Sequence, residues 1–128
     1  MITTRPLTPN AVEIIVDGAL AREDIPRVIA DVVAVLEGTD RLDMIADVRG
    51  APDLHLSLFL EELKHLPALF RIMKALDRVA LIADESWIRT AAKIESKLLP
   101  GIAYEVFTRA EEGHARDWAL RRTDIAHA

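Results

Sequence analysis

Asp43 and Asp47 are the two side chains whose type and spacing come closest to acid–base chemistry. They lie four residues apart within Leu42–Val48, an apolar run typical of a strand, so both point to the same face. Paired carboxylates can divide the roles of acid and base when burial raises the pKa of one of them. No phosphate-binding glycine loop, nucleophile elbow or ordered serine, histidine and acid accompanies this pair. We therefore expect the aspartates to serve at a turn or an edge of a non-enzymatic protein; a hydrolase or isomerase that uses them with His55 is the alternative.

Metal chemistry is not expected from this sequence. Its histidines include no pair spaced three or four residues apart, the spacing that puts two imidazoles on one helical face. These histidines are His55, His65, His114 and His127. The sequence contains no cysteine, which excludes disulfides and cysteine-based metal sites and is compatible with a reducing cytosol. We predict neither a metal nor a cofactor.

A cleft at the carboxyl ends of parallel strands is the next candidate site, because ligands of open parallel sheets bind beyond those ends. Arg49 is predicted to pair there with an anionic head group or carboxylate, His55 to hydrogen-bond the same group, and Trp87 to form an apolar wall. In the alternative interpretation, Arg49 pairs with Asp53 or Asp84 and Trp87 packs in the core.

Strand-like and helix-like periodicities alternate along the chain and position these residues. The predicted strands are Ile2–Arg5, Ala11–Leu20, Leu42–Val48, Val79–Ala83 and Ala103–Phe107, and the predicted helices include Arg22–Glu37 and Glu111–Arg122. Two further helical stretches lie between the later strands. This order predicts an α/β fold in one domain over residues 1–128: a mainly parallel sheet with right-handed crossovers, an antiparallel edge hairpin and about four helices.

The charge of the chain narrows the class of partner. The net charge is −5 and the 16 basic residues are scattered, so the attraction that nucleic-acid binding requires is missing. No apolar run reaches the length of a membrane span, and the amino terminus does not resemble a signal peptide. We expect a cytoplasmic protein that does not bind nucleic acid.

The segment Leu54–Leu76 carries the largest apolar surplus. A continuous helical wheel predicts a core face formed by Leu56, Phe59, Leu60, Leu63, Leu66, Phe70 and Met73. A second set, Leu58, His65, Leu69, Ile72 and Leu76, falls roughly opposite, so the apolar arc is wider than one sheet can cover. A neighbouring helix, a dimer contact, a ligand cleft or a membrane would cover it. Pro67 predicts a kink near Lys64–Leu66, either static or hinged.

Several motifs resemble the SpoIIAA-like family, a branch of the STAS fold that is also described as STAS/SEC14-like. They are Trp87, Leu98–Gly101, Tyr104–Phe107, Ala110–Glu112 and Trp118–Leu120. The resemblance implies a bacterial protein that regulates or binds, and for this branch a lipid-like or other apolar ligand with loose membrane association. Anti-sigma-factor antagonists of this fold carry a phosphorylatable serine after the first central strand. Here residues 47–53 contain no serine or threonine, and Ser57 lies farther on.

We therefore predict a non-enzymatic binding or regulatory domain. Its expected ligand or membrane surface is formed by Leu58, His65, Leu69, Ile72 and Leu76, and its expected cleft by Arg49, Asp53, His55 and Trp87. The surface would hold an apolar or lipid-like molecule or lie on the inner face of the membrane. The alternative is a protein–protein regulatory module of the anti-sigma-factor-antagonist type, without the usual serine, which docks a regulatory partner or a second copy as a homodimer.

Overall fold

The computed structural model describes residues 2–18, 23–49, 67–94 and 100–121, and strands alternate with helices along them as predicted. The strands are β1 (Ile2–Thr8), β2 (Ala11–Asp17), β3 (Leu42–Arg49), β4 (Leu76–Ala83) and β5 (Ala103–Thr108). The helices are α1 (Asp24–Leu36), α2 (Pro67–Ala75), α3 (Ile88–Ile94) and α4 (Glu112–Ala119), with 3-10 turns at Glu85–Trp87 and Arg109–Glu111.

One sheet of five strands, in the order β1-β2-β3-β4-β5, joins these elements. β1 pairs with β2 in the antiparallel sense, and the remaining neighbours are parallel. The predicted fold class, a mainly parallel sheet with an antiparallel edge hairpin, is confirmed. The edge position suits Pro6, which has no N–H to donate to a ladder.

Alternation along the strands gives the sheet two faces with different covers. On one face, Val12 and Leu42 pack with α1 and α2, and farther along the sheet Val48 packs with Trp87 and the start of α3. On the other face, Ile45 and its neighbours on β4 and β5 pack against Ala115 and Ala119 of α4. Because side chains in β3 alternate, Asp43, Asp47 and Arg49 share the α4 face with Ile45.

Local signals set the start of α4 and the turn before β5. The Thr108 N–H and hydroxyl both donate to Oε1 of Glu111 at 3.0 Å, as in a capping box. The pKa of Glu111 is lowered by the hydrogen bond from the Thr108 N–H and, to a lesser extent, by the one from the Thr108 hydroxyl. Gly101 has a φ of 96°, a conformation that favours glycine, in the predicted Pro100-Gly101 break.

The helix predicted over Leu54–Leu76 differs from the observed element in both extent and orientation. Residues 54–66 lie outside the described residues, as does the kink expected at Lys64–Leu66. The described helix ends at Ala75, and Leu76 begins β4, where it pairs with Leu42 of β3.

The two predicted faces of this helix are reversed. Ile72, expected on the uncovered surface, is only 5% exposed, whereas Phe70, expected in the core, is 55% exposed. Phe70 and Ile72 are two positions apart and so face opposite sides of the helix, and the packing of Ile72 with Val32 and Leu36 decides which of the two is buried. Leu69 is half-buried, and Leu76 is half-buried against the same core cluster as Ile72. The prediction of an uncovered surface is therefore wrong at Ile72, and Leu69 and Leu76 are partly covered.

Candidate functional site

A groove of about 540 Å³ lies between the end of α1 and helix α2. It is lined by Leu36, Thr39, Asp40, Pro67, Phe70, Arg71, Lys74 and Ala75. The volume falls within the range of small-molecule sites in proteins, roughly 300–1,000 Å³. No helix among the described residues is long and apolar enough to span a bilayer.

Helix α2 turns Phe70 outward because Ile72 is required inward. Ile72 belongs to the core cluster that also contains Val32 and Leu36 of α1. Residues two positions apart in a helix are separated by about 200° around its axis, so the side chain two positions before Ile72 faces away from that core. Phe70 is accordingly the large hydrophobic side chain that stands out as exposed in the described part of the chain.

Two cations flank the exposed ring. The Lys74 ammonium lies 5.4 Å from the centroid of the Phe70 ring, one turn along the same helix. Arg71 is also exposed and makes no ion pair with a carboxylate of the described residues. Asp40, on the wall that follows α1, is the acidic group of the groove. The lining thus combines an apolar floor with two cations and one anion.

A second constellation lies on the opposite side of the sheet, under α4. Glu13, Asp43 and Asp47 are buried there, with 0%, 4% and 0% exposure. Each lies between one arginine near its own strand and one from the C-terminal segment 109–121. The contacts are Glu13 with Arg5 (2.6 Å) and Arg116, Asp43 with Arg41 (3.7 Å) and Arg121 (3.3 Å), and Asp47 with Arg49 (3.3 Å) and Arg109 (2.5 Å).

These ion pairs are structural in character. Burial alone would lower the pKa of Arg116, but the hydrogen bonds to Glu13 and Glu112 and their negative charges hold it above its ordinary value. The pKa of Arg109 is raised in the same way by the hydrogen bond and charge of Asp47, against the effect of burial. Each buried carboxylate is thus held between two guanidinium groups, which stay protonated in proteins.

The turn or edge role expected for Asp43 and Asp47 is therefore wrong. Both lie in the central strand β3, and Asp43 also accepts a hydrogen bond from the Arg78 N–H at 3.3 Å. Burial under α4 is tolerated because the arginines compensate the charge. The partners Arg109 and Arg121 are distant in sequence, so the local spacing of the aspartates did not reveal them.

The predicted cleft is only partly described, and its described members lie apart. Arg49 is half-exposed at the end of β3, and its Nη2 donates to Asp47 at 3.3 Å rather than to Asp84. Trp87 is 6% exposed and packs in the core with Val48, so it does not form an open wall. Because Val48 and Arg49 point to opposite faces of β3, the tryptophan and the arginine are separated by the sheet.

The remaining predicted site residues, Asp53, His55, Leu58 and His65, lie outside the described residues.

The sequence analysis missed Arg109, which lies at the carboxyl ends of β3 and β4. Arg109 donates to the Val48 carbonyl at 2.9 Å and lies 3.6 Å from Asp84. Its position directly after β5 was the available signal, because the ends of parallel strands meet at one edge. The described residues contain no group of three or more side chains suited to hold a metal ion.

Comparisons with known proteins agree with this architecture. A family model described as SpoIIAA-like matches residues 11–120. A crystal structure of an uncharacterised protein from the DUF3478 family, with a SpoIIAA-like fold, from Shewanella loihica PV-4 is similar over 93% of this chain and 92% of that one. The TM-score is 0.63 at 20% identity, which establishes a shared fold. No curated protein matches the chain. The resemblance read from the sequence is confirmed, and the fold suggests a regulatory or binding domain.

Proposed function

The chain belongs to the SpoIIAA-like family, and we propose that it is a non-enzymatic binding domain that holds an apolar, lipid-like molecule in the groove between α1 and α2. The observation that carries this proposal is the exposure of Phe70, at 55%, beside a groove of about 540 Å³. The absence of catalysis is part of the proposal and is supported by the engagement of Asp43 and Asp47 in ion pairs.

The energetics favour a bound molecule over a bilayer surface. Complete burial of a phenylalanine side chain yields about 1.5–3 kcal/mol, so covering a half-exposed Phe70 yields roughly 1 kcal/mol. Even a whole myristoyl chain gives only marginal membrane binding. One aromatic ring on the nine-residue helix α2 is a weak anchor, whereas a chain lying in the groove also contacts Pro67 and Ala75.

The test is displacement of a neutral, polarity-sensitive dye, Nile red, by lauryl alcohol, together with mass spectrometry of organic extracts of the purified protein. Phe70→Ser should weaken dye and alcohol binding about fivefold, the equivalent of the roughly 1 kcal/mol above. Phe70→Leu, which keeps an apolar side chain, should retain most of the affinity. Circular dichroism confirms that both variants are folded.

Unchanged affinity in Phe70→Ser, combined with extracts free of apolar molecules, would remove the proposal. The protein–protein alternative predicts a different outcome of the same substitution. If Phe70→Ser converts a dimer into a monomer in light scattering and leaves dye binding unchanged, the groove is an interface between copies. Binding to neutral vesicles that is lost in Phe70→Ser would instead assign the exposed ring to a membrane surface.

A further inference from the structure

We propose that the ligand of the α1–α2 groove is an anionic amphiphile, whose acidic head group binds Arg71 and Lys74 while its chain lies on Phe70 and the groove floor. This inference rests on the proposed function, because it assigns a chemical class to the ligand of the same groove. A fatty carboxylate is the simplest molecule of this class.

Arg71 differs from most described arginines of the protein in the partners of its side chain. Among the described residues, Arg71 and Arg89 alone make no hydrogen bond or ion pair with a described group; the other arginines do. Those arginines are Arg5, Arg27, Arg41, Arg49, Arg78, Arg109, Arg116 and Arg121. In a chain with a net charge of −5, an arginine that lines a groove and has no side-chain partner among the described residues is suited to an external anion.

The two cations line the same groove as the Phe70 ring. Arg71 and Lys74 are three residues apart and therefore neighbours on one side of α2. Lys74 lies 5.4 Å from the Phe70 ring centroid, so its charge is already placed next to the apolar surface. An acidic head group between these cations can leave its attached chain directed over the ring and toward Pro67.

Asp40 lines the groove on the wall that faces the two cations. Its charge weakens the attraction for an anion, so the groove carries a net charge of about +1 rather than +2. The inference therefore makes predictions of opposite sign: loss of a cation weakens anion binding, and loss of Asp40 strengthens it.

The experiment compares laurate and lauryl alcohol, which have the same chain and differ in head-group charge, by calorimetry below their aggregation concentrations. At low ionic strength and a pH at which laurate is ionised, it should bind more tightly than the alcohol. Arg71→Gln and Lys74→Gln should each weaken laurate binding about fivefold and leave the alcohol unchanged. Asp40→Asn should strengthen laurate binding. Arg89→Gln, at an exposed position of α3, makes the same change in net charge away from the groove and should have no effect.

The outcomes separate the two proposals. Equal affinities for laurate and the alcohol, or an equal loss in Arg89→Gln and Arg71→Gln, would overturn the anionic head group while leaving an apolar ligand in place. Failure of both probes to bind would overturn the proposed function itself. A laurate preference that disappears in Arg71→Gln but persists in Phe70→Ser, where both affinities fall about fivefold, would support both proposals together.

Discussion

Arg116→Leu tests the ion pairs that join α4 to the sheet. Arg116 donates to Glu13, a fully buried carboxylate of β2, and to Glu112 at 3.1 Å within its own helix. The substitution removes the guanidinium but keeps an apolar side chain of moderate size on α4. Glu13 then loses Arg116, the more buried of its two partners. It keeps Arg5, whose side chain is 60% exposed and whose Nη2 lies 2.6 Å from Oε1 of Glu13.

The expected magnitude follows from this partial compensation. Removing one member of a buried pair costs about 3–5 kcal/mol when the other charge is left alone. Because Arg5 still contacts Glu13, we expect a loss of roughly 2–3 kcal/mol, at or below the lower end of that range. Arg5→Leu should cost less than Arg116→Leu, since a solvent-exposed partner contributes about 0–1 kcal/mol.

Urea unfolding monitored by circular dichroism measures both values, and the double variant Glu13→Leu/Arg116→Leu supplies the control. Replacing a buried ion pair by apolar side chains is often neutral, so the double variant should recover most of the stability lost in Arg116→Leu. A double variant as unstable as the sum of its single variants would refute the reasoning, because the loss would then come from packing and not from an unpaired carboxylate.

Further substitutions, two of them with a matched control, test the core, the backbone and the cap. Ile72→Ala should cost about 3 kcal/mol in urea unfolding because it leaves a cavity between α1 and α2, whereas Phe70→Ala on the opposite side of the same helix should cost less than about 1 kcal/mol. Gly101→Ala should destabilise the fold by about 1 kcal/mol, because the φ of residue 101 is 96°. Gly113→Ala should be neutral or stabilising in the same assay, because a Cβ added at this position of α4 would meet no atom within 4 Å. Glu111→Gln should lower the Tm at neutral pH. Because folding lowers the pKa of Glu111 below 4.5, the stabilisation is present above 4.5, and the difference in Tm should vanish as the pH falls through the lowered pKa.

The order of elements could be predicted because each depends on local pattern. Alternation predicted β2, a short apolar run predicted β3, and three- and four-residue spacing predicted α1, whose observed bounds differ from the prediction by one or two residues. The start of β4 could not be predicted in this way. Leu76 fits the helical spacing of the residues before it, and only its pairing with Leu42 of β3 places it in the sheet.

The ion-paired face of the sheet could not be predicted from local sequence for a different reason. Spacing correctly placed Asp43 and Asp47 on one face, but burial of a carboxylate depends on a compensating charge. For Asp47 that charge comes from Arg109, 62 residues away, and for Asp43 from Arg121, 78 residues away. Arginines that are scattered along the sequence are gathered by the fold onto three buried carboxylates.

The two faces of the sheet can therefore be altered separately. The α4 face is fixed by charge pairs that need no ligand, whereas the groove beside α2 leaves Phe70 exposed and Arg71 without a described carboxylate. Groups on opposite sides of a sheet that share no partner contribute nearly additively. Arg116→Leu should thus lower the urea midpoint without changing the affinity for lauryl alcohol, and Phe70→Ser should lower that affinity with little change in the midpoint. The groups that hold α4 to the sheet are thus separate from those that line the groove.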